Sequence, residues 1–153
     1  EILPLFNNKN YQVLLITGKN YYDDYKDIKL SNNVKLLPFY DNLIALMKDA
    51  DLMITRSGAS TISELTSIGL PAIMVPSPYV TNNHQYKNAK ALGKGVEILE
   101  EENFSKDTLI PLVDKLINDK KKLNSMSKEL LKMKISDSAS KIYDVILDVV
   151  GDE

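Results

Sequence analysis

Five short apolar runs, separated by stretches with helical spacing, constrain the fold of this chain more than any other feature. The runs are Val13-Leu14-Leu15-Ile16, Val34-Lys35-Leu36-Leu37, Leu52-Met53-Ile54, Ala72-Ile73-Met74-Val75 and, more weakly, Val96-Glu97-Ile98-Leu99. Each reads as a strand buried on both faces. Between them, apolar residues return at helical intervals, as in Leu43, Ile44, Met47 and Ala50, or Ile62, Leu65 and Ile68. Strands alternating with helices require right-handed crossovers, and these give a mostly parallel sheet with helices on both faces. The expected fold is therefore α/β, a doubly wound Rossmann-like sheet. After Phe104 the pattern turns helical, with Leu109, Leu112, Val113, Leu116 and Ile117 on one face. A last helix uses Ala139, Ile142, Tyr143, Val145, Ile146 and Val149. A single domain over 1–153 is expected, with an α/β core over 1–103 and a helical tail over 104–153.

Bulk properties remove several classes of function. The 153 residues are 44% apolar and 26% charged, which excludes disordered and fibrous chains. A formal net charge of −2 argues against nucleic acid as a partner, because phosphates need an excess of Lys and Arg. Without Cys, and with His84 as the one histidine, the chain has neither disulfides nor a histidine-rich metal site, so no metal or cofactor is expected. Absence of Cys also fits a cytoplasmic protein. No apolar run approaches the roughly 20 residues of a membrane-spanning helix. The chain opens without Met at Glu1-Ile2-Leu3-Pro4 and reads as a fragment or a processed product. The basic stretch DKKKLNSMSKELLKMK is either a solvated helix face or a membrane-surface helix.

The stretch ITRSGASTISELTSIGLPAIMVP, residues 54–76, carries the most chemistry. In open α/β sheets, ligands sit beyond the carboxyl ends of the strands, where the next helices point their N-termini. Gly58 allows a sharp turn and close approach of a ligand. The N–H groups of Ala59, Ser60 and Thr61 would form the positive end of a helix, suited to phosphate. Glu64 lies about 6 Å further along, at 1.5 Å per residue. It is too far for that phosphate, but a carboxylate there can accept two hydrogen bonds from a vicinal diol. An equally open reading is structural: Thr61-Ile62-Ser63-Glu64 has the form of a capping box. Gly69 and Pro71 read as the helix stop. A second polar cluster, PSPYVTNNHQYKNA over residues 76–89, places Gln85 and Asn88 on one helical face, with Asn82 or Asn83 as a cap. Two carboxamides suit sugar hydroxyls; a polar helix start is the alternative. His84 lacks an orienting carboxylate nearby in sequence.

DADLMITRSGASTISELTSIGLPAIMVPSPYVTNNHQYKNA, together with LLITGK and LLPFYDN upstream, resembles the carboxyl-terminal half of the MurG family of bacterial N-acetylglucosaminyltransferases. The likeness covers roughly residues 11–103. It implies one half of a GT-B glycosyltransferase, with UDP-N-acetylglucosamine as donor and an undecaprenyl-diphosphate-linked muramyl pentapeptide as acceptor. By that resemblance Tyr40 holds uracil through its main chain, and Glu64 takes the ribose diol. The backbone of Ser60 and Thr61 meets the diphosphate within a loop that includes Ser57 and Gly58. The Ala59 amide and Gln85 meet the sugar, with Asn88 nearby. Arg56 either sits beside the uridine or structures the loop, and an ion pair with Asp41 or Asp51 is its structural alternative.

The family's glycine-rich acceptor loop, its amino-terminal base and a second glycine-rich loop have no counterpart in this sequence, and Glu1 to Phe6 resembles the end of the helix that follows that second loop. The resemblance thus implies a donor-binding domain of a longer enzyme. It would not transfer sugar alone, and the whole enzyme would lie in the cytoplasm, peripheral on the inner face of the bacterial membrane. Two alternatives are a subunit of the dolichol-diphosphate N-acetylglucosaminyltransferase and a non-catalytic Rossmann nucleotide-binding module. The latter lacks a GxGxxG after Leu15-Ile16-Thr17-Gly18.

Overall fold

The first three apolar runs form β1 (Val13–Ile16), β2 (Val34–Leu37) and β3 (Met53–Thr55), and the last two form β4 (Ala72–Met74) and β5 (Val96–Ile98). The structure, a computed structural model, describes residues 2–151, so the expectations placed on Glu1, Asp152 and Glu153 fall outside the described residues. All pairings among these strands are parallel. β1 pairs with β2 from Val13↔Val34 to Ile16↔Leu37, and β4 lies between β3 and β5, with Ala72 opposite both Met53 and Val96. The expected parallel architecture is present, with the ladder in two pieces, one of two strands and one of three.

Between the strands run α1 (Tyr22–Tyr25), α2 (Leu43–Lys48), α3 (Ala59–Ile68) and α4 (His84–Ala91), followed by α5 (Lys106–Ile117), α6 (Lys120–Lys132) and α7 (Ser138–Val150). β4 shows why helices lie on both faces. Side chains alternate across a strand. Ile73 accordingly joins Leu99, Leu109, Val113 and Leu116 on one side, while Ala72 and Met74 join Leu65, Ala89 and Leu130 on the other. All three residues of β4 are fully buried.

α6 closes both cores, since Leu123 and Met126 enter the first and Leu130 enters the second. These three residues of α6 are buried, while Lys120, Lys121, Lys128 and Lys132 are exposed. The approach of α6 depends on Gly95, where an added Cβ would lie 2.7 Å from Leu130 Cγ and Cδ2. Gly69 ends α3 in the left-handed conformation at φ 76°, as expected.

The amino-terminal end is tied down by polar contacts. Leu3–Phe6 forms one 3-10 turn with Phe6 buried. The Asn33 amide donates to the Phe6 and Tyr11 carbonyls, while Lys9 Nζ and Tyr11 Oη reach the two Asp114 oxygens on α5 at 2.6 and 2.7 Å. The hydrogen bond from Lys9, supported by Tyr11, holds the Asp114 carboxyl below its ordinary range. α7 is different: none of its residues is buried, and Ile142, Val145, Ile146 and Val149 face solvent. Among the described residues no helix is long and apolar enough to cross a membrane.

Candidate functional site

Three strands of the second ladder end side by side, and Arg56, Ser57, Gln85 and Asn88, among the polar residues singled out in the sequence, gather beyond those ends. β3 runs out at Thr55, whose carbonyl still accepts from Val75 N at 2.8 Å; Arg56, Ser57 and Gly58 then turn the chain into α3. Gly58 is the N-cap and offers no side-chain hydrogen bond to the helix. The first amides of a helix have no acceptor within it. Ala59, Ser60 and Thr61 therefore start α3 with their N–H groups unclaimed by a cap, and Ala59 and Ser60 are exposed. This combination of helix dipole and open amides is suited to an anion.

The capping-box alternative for Thr61 and Glu64 does not hold. Both residues lie inside α3, which begins at Ala59, so Thr61 cannot be the N-cap. Glu64 is half-buried and makes no hydrogen bond or ion pair among the described residues. It lines an open groove of about 620 Å³ with Ile44, Lys48, Ser63, Ser67, Ile68 and Lys134. Its carboxylate is thus available to a ligand rather than committed to the helix.

α4 enters from the other side. Gln85 Oε1 accepts from Ser77 N at 2.9 Å, which fixes the carboxamide and leaves its NH2 as the outward donor. Asn88 Nδ2 donates to the Ser57 carbonyl at 3.2 Å, a bond across 31 residues that joins α4 to the turn before α3. The two carboxamides share a helical face, as expected, and the Asn88 bond brings the two polar stretches together. Asn82 and Asn83 do not cap through their side chains. Both adopt left-handed backbone at φ 56° and 52°, and Asn83 holds the N-cap position without a capping bond. His84 is exposed, with Nδ1 2.9 Å from the Thr81 carbonyl, and among the described residues no carboxylate orients it.

Arg56 does not form the alternative ion pair with Asp41 or Asp51. Its Nη1 donates to the Val75 carbonyl at 3.1 Å and pairs with Glu101 Oε2. Glu101 follows β5, inside an acidic run that has no distinguishing pattern in the sequence. Ser57 is fully buried, and its hydroxyl has no partner among the described residues. Tyr40 lies apart, in the exposed turn between β2 and α2, where Asn42 Oδ1 caps α2 through Ala45 N at 3.1 Å. No other backbone group among the described residues engages the Tyr40 main chain.

Comparison with known proteins bears on the whole chain. The family model described as the glycosyltransferase family 28 C-terminal domain matches residues 1–142. A curated relative from Listeria monocytogenes, named UDP-N-acetylglucosamine–N-acetylmuramyl-(pentapeptide) pyrophosphoryl-undecaprenol N-acetylglucosamine transferase, is 36% identical over 97% of this chain and 43% of its own length. One of the same name from Bacillus cytotoxicus is 39% identical over 95% of this chain and 42% of its own. The chain thus spans less than half the length of these relatives. Among solved structures, MurG of Acinetobacter baumannii superposes with a TM-score of 0.81 at 23% identity, over 90% of this chain and 41% of that one. The glycosyltransferase VinC, solved with dTDP, reaches 0.69 at 16% identity, over 86% and 32%.

Proposed function

This chain belongs to the glycosyltransferase family 28 C-terminal domains, and from that premise we propose that it binds the sugar-nucleotide donor of an N-acetylglucosaminyltransferase. The donor is UDP-N-acetylglucosamine. The whole enzyme passes its sugar to the undecaprenyl-diphosphate-linked muramyl pentapeptide during peptidoglycan synthesis, at the inner face of the cell membrane. The observation that carries this reading is the joining of the uncapped α3 N-terminus to α4 by the Asn88–Ser57 bond. It ties α4, with its carboxamides, to the turn that leads into the α3 amides, which supports a sugar and a diphosphate held by adjoining elements. The names of the bacterial relatives support the choice of donor and acceptor and disfavour the dolichol alternative.

In this reading the Ser60 and Thr61 amides receive the diphosphate, whose charge the helix dipole favours. The Ala59 amide and the Gln85 and Asn88 carboxamides hold the hexose, Glu64 takes the ribose hydroxyls, and the Tyr40 main chain meets uracil. Arg56, Ser57 and Gly58 shape the turn. Proton transfer from the attacking hydroxyl requires a base within about 2.6–3.2 Å. His84, exposed and without an orienting carboxylate among the described residues, does not fill that role, so these residues bind the donor and do not transfer it by themselves.

Calorimetry with UDP-N-acetylglucosamine, UDP and NAD tests the proposal. Binding of both uridine ligands is expected, in the high micromolar range or weaker, equivalent to about −5 kcal/mol, with no heat from NAD. Binding of NAD in preference to UDP would instead support the Rossmann-module reading. An assay with labelled donor and lipid acceptor should give no product; turnover near that of a full-length relative would place a catalytic group within these residues.

A further inference from the structure

The contact between Arg56 and Glu101 lies where three strand ends meet. Hydrogen bonding between the strands continues just past their ends: Val75 N donates to the Thr55 carbonyl, and Leu99 N donates to the Met74 carbonyl. Beyond Val75 the chain departs through Pro76, which has no N–H. The Val75 carbonyl is taken by the Arg56 guanidinium, which also pairs with Glu101 from the 3-10 turn after β5. One side chain therefore joins the exits of β3, β4 and β5.

The next residue is held from the opposite side, where the Ser57 carbonyl accepts from Asn88. The two residues before the N-cap Gly58 are thus pinned separately, Arg56 from the β4 and β5 side and Ser57 from α4. Together the pins set the direction in which α3 begins, and with it the direction of the Ala59, Ser60 and Thr61 amides. The arginine and glutamate side chains are 51% and 32% exposed. Ion pairs this exposed contribute little to stability, so the effect of this one lies in geometry.

We infer that Glu101 is a positioning residue for the donor site, acting through Arg56 to aim the α3 amides at the diphosphate. The inference rests on the donor-binding reading above. It predicts that Glu101→Gln weakens UDP and UDP-N-acetylglucosamine together, by about three- to tenfold, because the diphosphate is common to both. The thermal midpoint should stay within a degree or two of wild type. A structural role alone would not produce the spectroscopic signature, a displacement of the Ala59, Ser60 and Thr61 amide signals in 15N–1H spectra of unliganded Glu101→Gln. Arg56→Lys, which keeps the charge but not the planar fork, should displace the same signals.

The experiment is calorimetry and amide spectroscopy on wild type, Glu101→Gln and Arg56→Lys. If wild type binds no uridine nucleotide, the donor-binding proposal itself fails, whatever the variants do. If wild type binds and Glu101→Gln binds equally well with the three amides unmoved, the positioning role is overturned. Tighter binding by Glu101→Gln would also overturn it, since Glu101 would then compete with the ligand for Arg56.

Discussion

Replacing Glu64 with Ala separates ligand binding from folding more cleanly than any other single change at the site. The side chain sits inside α3, half-buried beside an open groove, and has no hydrogen bond or ion pair among the described residues. Alanine is the better helix former, and the propensity difference is below about 0.7 kcal/mol. The thermal midpoint should therefore hardly move. In the proposed complex the carboxylate accepts from the ribose diol, and loss of such charge-assisted hydrogen bonds costs about 1.5–3 kcal/mol, or roughly 10- to 150-fold in affinity. Calorimetry of wild type and Glu64→Ala with UDP and 2′-deoxy-UDP completes a cycle. Wild type should prefer UDP, and the variant should bind the two nucleotides alike because the discriminating acceptor is gone. If wild type binds UDP and 2′-deoxy-UDP equally, the ribose role is wrong. A large fall in the thermal midpoint of Glu64→Ala would show that the side chain serves the fold.

Gln85→Ala removes the acceptor for Ser77 N as well as the outward NH2. It should lower stability by about 1 kcal/mol and weaken UDP-N-acetylglucosamine more than UDP; equal losses in titrations of the two ligands would move Gln85 from the sugar to the phosphates. Gly95→Ala brings a Cβ to 2.7 Å from Leu130 on α6, and urea unfolding should report a loss of about 1–3 kcal/mol from overpacking. Asp114 has its folded pKa lowered, first by its hydrogen bond to Lys9. It therefore adds stability that is complete above the unfolded carboxyl pKa of about 3.9 and is lost as pH falls through the lowered value. Unfolding midpoints of wild type and Asp114→Asn should converge on acidification, and a constant gap would refute the assignment.

The repeating pattern of the chain made the fold legible, because buried parallel strands must be apolar along their length and their crossovers must be helical. All five apolar runs became strands, with boundaries shifted by a residue where β3 ends at Thr55 and β4 at Met74. What stayed hidden depended on distant partners. Thr61 and Glu64 have capping-box spacing, but the helix begins two residues before Thr61, at Ala59, with Gly58 as its N-cap, and spacing alone does not fix that boundary. Arg56 had aspartates nearer in sequence, yet its partner comes from a turn 45 residues away. Asn88 could be placed on a polar helical face, but its reach to the Ser57 carbonyl depends on how α4 sits against the ends of β3 and β4.

The exposure of α7 divides the molecule by cooperativity. From β1 to α6 every long helix contributes to a shared core, so opening any one amide there to solvent costs a share of the global unfolding free energy. α7 contributes no buried residue, and a helix of 13 residues without packing is marginal in water. Its backbone hydrogen bonds should open independently of the rest. In hydrogen exchange, protection should fall sharply after Lys132, with α7 amides exchanging by local fraying while Leu123, Met126 and Leu130 exchange only with the cores they enter. Any surface that covers Ile142, Val145, Ile146 and Val149 would convert this segment from a fluctuating helix into part of the cooperative unit, and exchange protection of α7 would measure that docking directly.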